Sequence, residues 1–138
     1  MINTALTQYG VNKYWIDRLE EIFVFAGVPS YNRGVNWCGI FMGYCAKKNN
    51  LPYPDKYMTA RSWLTVGEPV DKPNIGDVVV FWRESETSWK GHVGLFIGEY
   101  EKPDNINILG GNQSSRRSVT ITKFPTYRVL GYRRLQHV

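Results

Sequence analysis

The chain carries two cysteines and two histidines, and their placement is unequal. A thiol attacks a carbonyl carbon only as the thiolate, which a helix N-terminus or a nearby imidazolium favours. Cys38 falls in the first turn of a segment that reads as helix from Asn36 or Trp37 to about Lys48. Unpaired backbone N–H groups point outward there, and the same groups stabilise an oxyanion during acyl transfer. Cys45 lies near the other end of that helix, where the dipole opposes ionisation, and reads as core. Seven residues of helix place the two Cα atoms roughly 10 Å apart, beyond the about 7 Å that a disulfide spans. Two free thiols are therefore expected, as in a reducing compartment or a thiol enzyme.

The base for such a thiol comes from elsewhere in the chain. His137 is next to last and is expected to fray. His92 follows Gly91 at the start of a strand, on the face opposite Val93, Leu95 and Ile97. A sheet packed on the cysteine helix would bring it to Cys38, with the sulfur facing solvent. A catalytic imidazole needs a third group to fix its tautomer. Asn112 is the first candidate and Gln113 the second; Asp77 and Glu99 are carboxylate alternatives, Asp77 fitting a turn cap as well. Trp37, Trp63, Trp89 and Gln113 are the candidate substrate contacts. Tyr31-Asn32-Arg33, Trp82-Arg83, Trp89-Lys90 and Arg116-Arg117 are further candidates for a groove wall. Taken singly, each residue has a plainer reading: a cysteine on an apolar helix face is commonly core, and Gly-Gly-Asn commonly a turn. Cys38, Cys45 and His92 lack the short ligand spacing of a zinc site, so neither metal nor cofactor is expected.

The elements that must position these groups divide the chain into a helical first half and a strand-rich second half, which predicts an α+β domain. A first helix is expected over about Asn12–Ala26, from Trp15, Leu19, Ile22, Phe23 and Ala26 at helical spacing, with Gly27 and Pro29 ending it. The second carries Cys38, Phe41, Met42 and Cys45 on one face. A short third helix is expected at Ala60–Val66, capped by Thr59 and closed by Gly67. About five strands follow: Val78–Trp82, His92–Gly98, Ile106–Leu109 after a turn at Pro103-Asp104-Asn105, Val119–Phe124 and Gly131–Leu135. Short connections favour antiparallel pairing. There is no repeat or long linker, so residues 1–138 are expected to form a single domain with its core at about 12–135.

With 43% hydrophobic residues, the composition supports a packed core and excludes a disordered chain. No run of about 18 apolar residues suggests a membrane span. Met1–Gly10 lacks the charged and apolar regions of a signal peptide. Seventeen Lys+Arg against 12 Asp+Glu give a net charge of +5. This suits a polyanionic partner such as a cell-wall polymer, nucleic acid or membrane surface. The basic residues are scattered, with short clusters at Lys47-Lys48, Arg116-Arg117 and Arg133-Arg134, and nucleic acid is not the expected partner.

Asn36-Trp37-Cys38-Gly39-Ile40-Phe41, Ala60-Arg61-Ser62-Trp63-Leu64, Gly76-Asp77-Val78-Val79-Val80-Phe81, Gly91-His92-Val93-Gly94-Leu95 and Leu109-Gly110-Gly111-Asn112-Gln113 occur in that order. This series resembles the CHAP and NlpC/P60 group of cysteine peptidoglycan hydrolases, in particular a compact branch found among bacteriophage endolysins. The resemblance covers roughly Asn36–Arg133. It implies a papain-like fold with the cysteine helix packed on a small antiparallel sheet. It also implies hydrolysis of an amide bond in cell-wall peptides through a thioester on Cys38, with His92 as base. The third position varies among relatives, so Asn112 is carried over less directly. Bacterial peptidoglycan is the implied substrate and other phage particle proteins are possible partners. Such a protein is made in the cytoplasm and acts on the wall after release, or travels with the virion. Alternatives are a non-catalytic wall-binding or structural phage component on this fold, or a cysteine peptidase, deamidase or toxin with another substrate.

Overall fold

The computed structural model describes residues 1–99, 101–102 and 104–136. His137 and Pro103 lie outside the described residues. Three α-helices, α1 (Ile2–Thr7), α2 (Ile16–Ala26) and α3 (Cys38–Lys48), precede six strands: β1 (Glu68–Val70), β2 (Val78–Trp82), β3 (Gly91–Glu99), β4 (Asn105–Gln113), β5 (Ser118–Pro125) and β6 (Val129–Arg134). Short 3₁₀ turns lie at Ala60–Thr65 and Thr126–Arg128. The strands form one antiparallel sheet in the order β1-β6-β2-β3-β4-β5. The architecture is α+β, and no helix among the described residues is long and apolar enough to cross a membrane.

α3 is central. Nine of its 11 residues are buried, so it is enclosed on nearly all sides rather than along the single stripe read from its sequence. It packs in one apolar cluster with Leu19, Ile22 and Phe23 of α2 and with Val80, Val93, Leu95 and Leu109 of the sheet. Each such side chain contributes about 1.5–3 kcal/mol on burial. The alternate residues Val79, Phe81, Phe96, Ile106 and Ile108 form a second cluster, with Phe124, Val129 and Tyr132 packed on it. Both faces of the central strands are therefore dry. This explains why Val78–Trp82 is apolar throughout.

Four expectations need correction. The helix expected from Asn12 starts only at Ile16. Asn12 Oδ1 instead accepts the N–H of Tyr14 at 3.0 Å. The chain around it is tied to β5 and the turn before it: Gly10 N–H donates to Val119 O, Val119 N–H to Val11 O, and Lys13 N–H to Arg116 O. Long-range pairing thus overrides the local helical pattern. α1, at the very start, was not expected. The third helix is a 3₁₀ turn, and Thr59 makes no side-chain cap; its hydroxyl donates to Lys56 O. The sixth strand, β1, is only three residues long and contains Pro69. It pairs at the sheet edge with β6, where a proline is tolerated.

Candidate functional site

Cys38 is the first residue of α3. On the β4 side of β3, the ladder runs from Leu95–Leu109 to Glu99–Ile106, so Val93 lies beyond its end. The backbone N–H of Val93 donates toward the Cys38 sulfur, and the amides of Gly39 and Cys38 and the charge of Arg83 also favour the thiolate. Burial outweighs them: the residue is 1% exposed, and the thiol is held above its ordinary range. The expected solvent-facing sulfur is not what the fold produces. It is enclosed because α3 enters the core at its first residue.

His92 is paired with Phe81 in the β2–β3 ladder. Strand alternation turns it away from the α3 face, onto the side of the second cluster. Its ring stacks on Phe124 at 4.8 Å and an interplanar angle of 13°. Burial, reinforced by the positive charge of Arg83, lowers its pKa to about 4 against the opposing pull of Gln113. The Cys38 sulfur meets the 92–93 peptide from the α3 side, while the imidazole leaves residue 92 on the other side of the sheet; both groups are in their neutral forms. No hydrogen bond joins them directly among the described residues.

The third group is Gln113. Its Oε1 lies 2.8 Å from His92 Nε2, and its Nε2 donates to Ile108 O at 3.1 Å and Thr120 O at 2.8 Å. Two carbonyl acceptors fix which end of the amide is the donor, so Oε1 faces the imidazole and must accept. His92 Nε2 therefore carries the proton, and Nδ1 is the basic nitrogen. Gly110 makes room for this: a Cβ there would stand 2.6 Å from Gln113 Oε1.

Asn112, the first candidate, does not fill this role. Its amide donates to Asn36 Oδ1 at 2.9 Å, and its own Oδ1 is buried without a partner. The cause is a bulge between Gly110 and Gln113, where three steps along β4 match two along β5, with Asn112 at φ 59°. The extra residue gives Gln113 the face that Asn112 would otherwise occupy. The carboxylate alternatives are also placed elsewhere. Asp77 holds Arg134 in two hydrogen bonds and accepts the N–H of Asn74, while Glu99 closes the far end of β3.

The tryptophans separate. Trp63 is fully buried and donates to Tyr57 O at 2.9 Å, so it is core. Trp37 is 1% exposed, and its indole nitrogen is buried without a partner. It packs closely on Gly111, where a Cβ would stand 2.6 Å from its ring. Neither is available to a substrate. Trp89 is 74% exposed. With Asn36, Met58, Arg83, Lys90 and Gly91 it lines a groove of about 230 Å³. The loop bearing it is held by the Arg61 fork, whose three nitrogens donate to Lys90 O, Glu86 O and Ser85 O at 2.6–2.8 Å.

Arg61 and Asn36 appear in the sequence only as parts of motifs, and Arg83 only as one groove candidate among several. Alternation from Phe81 and His92 would have placed Arg83 on the imidazole's face. Nothing local marks Arg61, whose partners lie more than twenty residues away. No group of three or more metal-ligating side chains occurs among the described residues. Compared with family models, curated proteins and solved structures, the chain finds no match.

Proposed function

We propose that the chain is a papain-like cysteine hydrolase that cleaves an amide bond of bacterial peptidoglycan. The observation that carries the reading is the tethered imidazole. Gln113 holds His92 in the tautomer with an unprotonated Nδ1, one residue from Val93, whose N–H meets the Cys38 thiol at a helix N-terminus. His92 Nδ1 takes the Cys38 proton as the sulfur bonds to the carbonyl carbon, and helix amides hold the oxyanion. The C–N bond then breaks, and the leaving amine takes the proton from Nδ1. Water adds to the thioester with Nδ1 again accepting a proton, the S–C bond breaks, and the thiol is restored. The neutral resting pair makes His92 a general base rather than one half of a standing ion pair. Attack requires the groove wall to yield and thiol and imidazole to close up, a tightening that substrate commonly brings.

The ordered motifs from Asn36 to Gln113 support peptidoglycan as substrate, and the basic surface supports attachment to an anionic wall. Lys13, Arg33 and Arg117 line one open groove of about 370 Å³ with Tyr14 and Tyr31. Mass spectrometry of fragments from defined peptidoglycan tests the reading. The wild type is expected to release a single class of amide-cleaved fragment, with Cys38→Ala and His92→Ala releasing none while keeping a native circular dichroism spectrum. Undiminished release by either variant overturns it. The burial of Cys38 favours one second reading, a non-catalytic wall component on the same fold, for which the wild type would bind walls and release nothing.

A further inference from the structure

Arg83 follows β2 directly, and its backbone N–H donates to Lys90 O across the hairpin. Its side chain is exposed, lines the groove with Trp89 and Asn36, and places a guanidinium nitrogen 3.5 Å from His92 Nδ1. No carboxylate pairs with it among the described residues. The neighbouring Glu84 is taken by Lys90 at 2.7 Å. An unpaired cation against the nitrogen that must accept a proton is unfavourable in the free protein. Arg83 cannot lose its charge, and its planar fork matches a carboxylate bidentately.

We propose that Arg83 is the specificity residue of this groove and holds a carboxylate on the substrate residue that flanks the scissile amide. This rests on the hydrolase reading. The ligand class is thus an anionic peptide rather than any amide. Docking of the carboxylate supplies the countercharge that Arg83 lacks and relieves its repulsion of a protonated His92 during turnover.

The test uses two stem-peptide substrates, identical except that the glutamate carboxylate beside the cleaved bond is free in one and a carboxamide in the other. The wild-type kcat/KM is expected to favour the carboxylate by about tenfold to a hundredfold. In Arg83→Gln the two substrates should fall within about a factor of two of each other, and Arg83→Lys should retain part of the preference. If the wild type cuts neither substrate, the hydrolase reading fails and this inference with it. Equal wild-type rates on both leave the hydrolase standing and overturn the role of Arg83. So does an equal loss on both substrates in Arg83→Gln with the ratio intact, which would mark a residue acting only through His92. A readout independent of that variant's folding is the NMR titration of wild-type His92. The carboxylate fragment should move its midpoint upward from about 4 and the carboxamide should not; no movement with either counts against the proposal.

Discussion

The two ends of α3 carry the same side chain in opposite settings. Cys38 and Cys45 are both buried, and burial raises both thiols. At Cys45 little opposes it, only the distant charge of the chain's N-terminus, and its pKa is pushed up to about 12. At Cys38 three backbone amides and Arg83 pull the other way. Burial alone therefore does not separate the two thiols. What separates them is what the helix end and the neighbouring strand aim at the sulfur. Asn49 at the C-terminal end closes the contrast: its side chain donates to Cys45 O, capping carbonyls where Cys38 meets N–H donors.

The largest expected effect is at the N-terminal end. Cys38→Ala should remove wall-fragment release, and native alkylation at pH 8 should modify Cys38 at least about tenfold faster than Cys45. Equal, slow alkylation of both would erase the contrast. Next comes acid. The folded protein keeps His92 neutral down to about 4, while the unfolded chain binds its proton from about pH 6.5. Between these values the unfolded state holds more protons, so stability is fully present above about 6.5 and is lost as pH falls toward 4. The amount is on the order of 3 kcal/mol. Urea unfolding at pH 7 and pH 4 should show a loss of that size in the wild type that is absent from His92→Gln. Gln113→Leu should cost about 1–3 kcal/mol by stranding the His92 N–H and two carbonyls. It should slow release on the order of 10²-fold, while Gln113→Glu, which keeps an acceptor for the His92 N–H but gives up both donors to the Ile108 and Thr120 carbonyls, should recover only part of the rate. The smallest effect is at the other end of α3. Cys45→Ala should leave release within about twofold and cost only ~1 kcal/mol in stability.

The parts of the fold legible in the sequence were those governed by local pattern. α3 begins at Cys38, within two residues of the start at Asn36 or Trp37 that the sequence indicates, and β2 and β3 fall on their apolar runs. Cys45 as core and His92 on the face opposite Val93 followed from position alone. Gln113 rather than Asn112 reaches the imidazole because strand alternation has a period of two, and one inserted residue, which nothing local marks, reverses every side chain beyond it. Straight alternation from Ile108 through Gly110 leads to Asn112; the bulge moves the role one residue on. The solvent-facing sulfur failed for a related reason. A helix start says which N–H groups are free, but the depth of that start depends on the strand that carries Val93, more than forty residues away.

The strands tied to Gly10, Val11 and Lys13 have a consequence for the sheet's outer rim. β5 is an edge strand, and such rims can template pairing with another chain. Here the leading segment occupies the first stretch of that rim, next to the Thr120 carbonyl on which Gln113 leans. Trimming the chain back past Lys13 would open a sticky edge and slacken the anchor of the imidazole in one stroke, so solubility and activity should decline together.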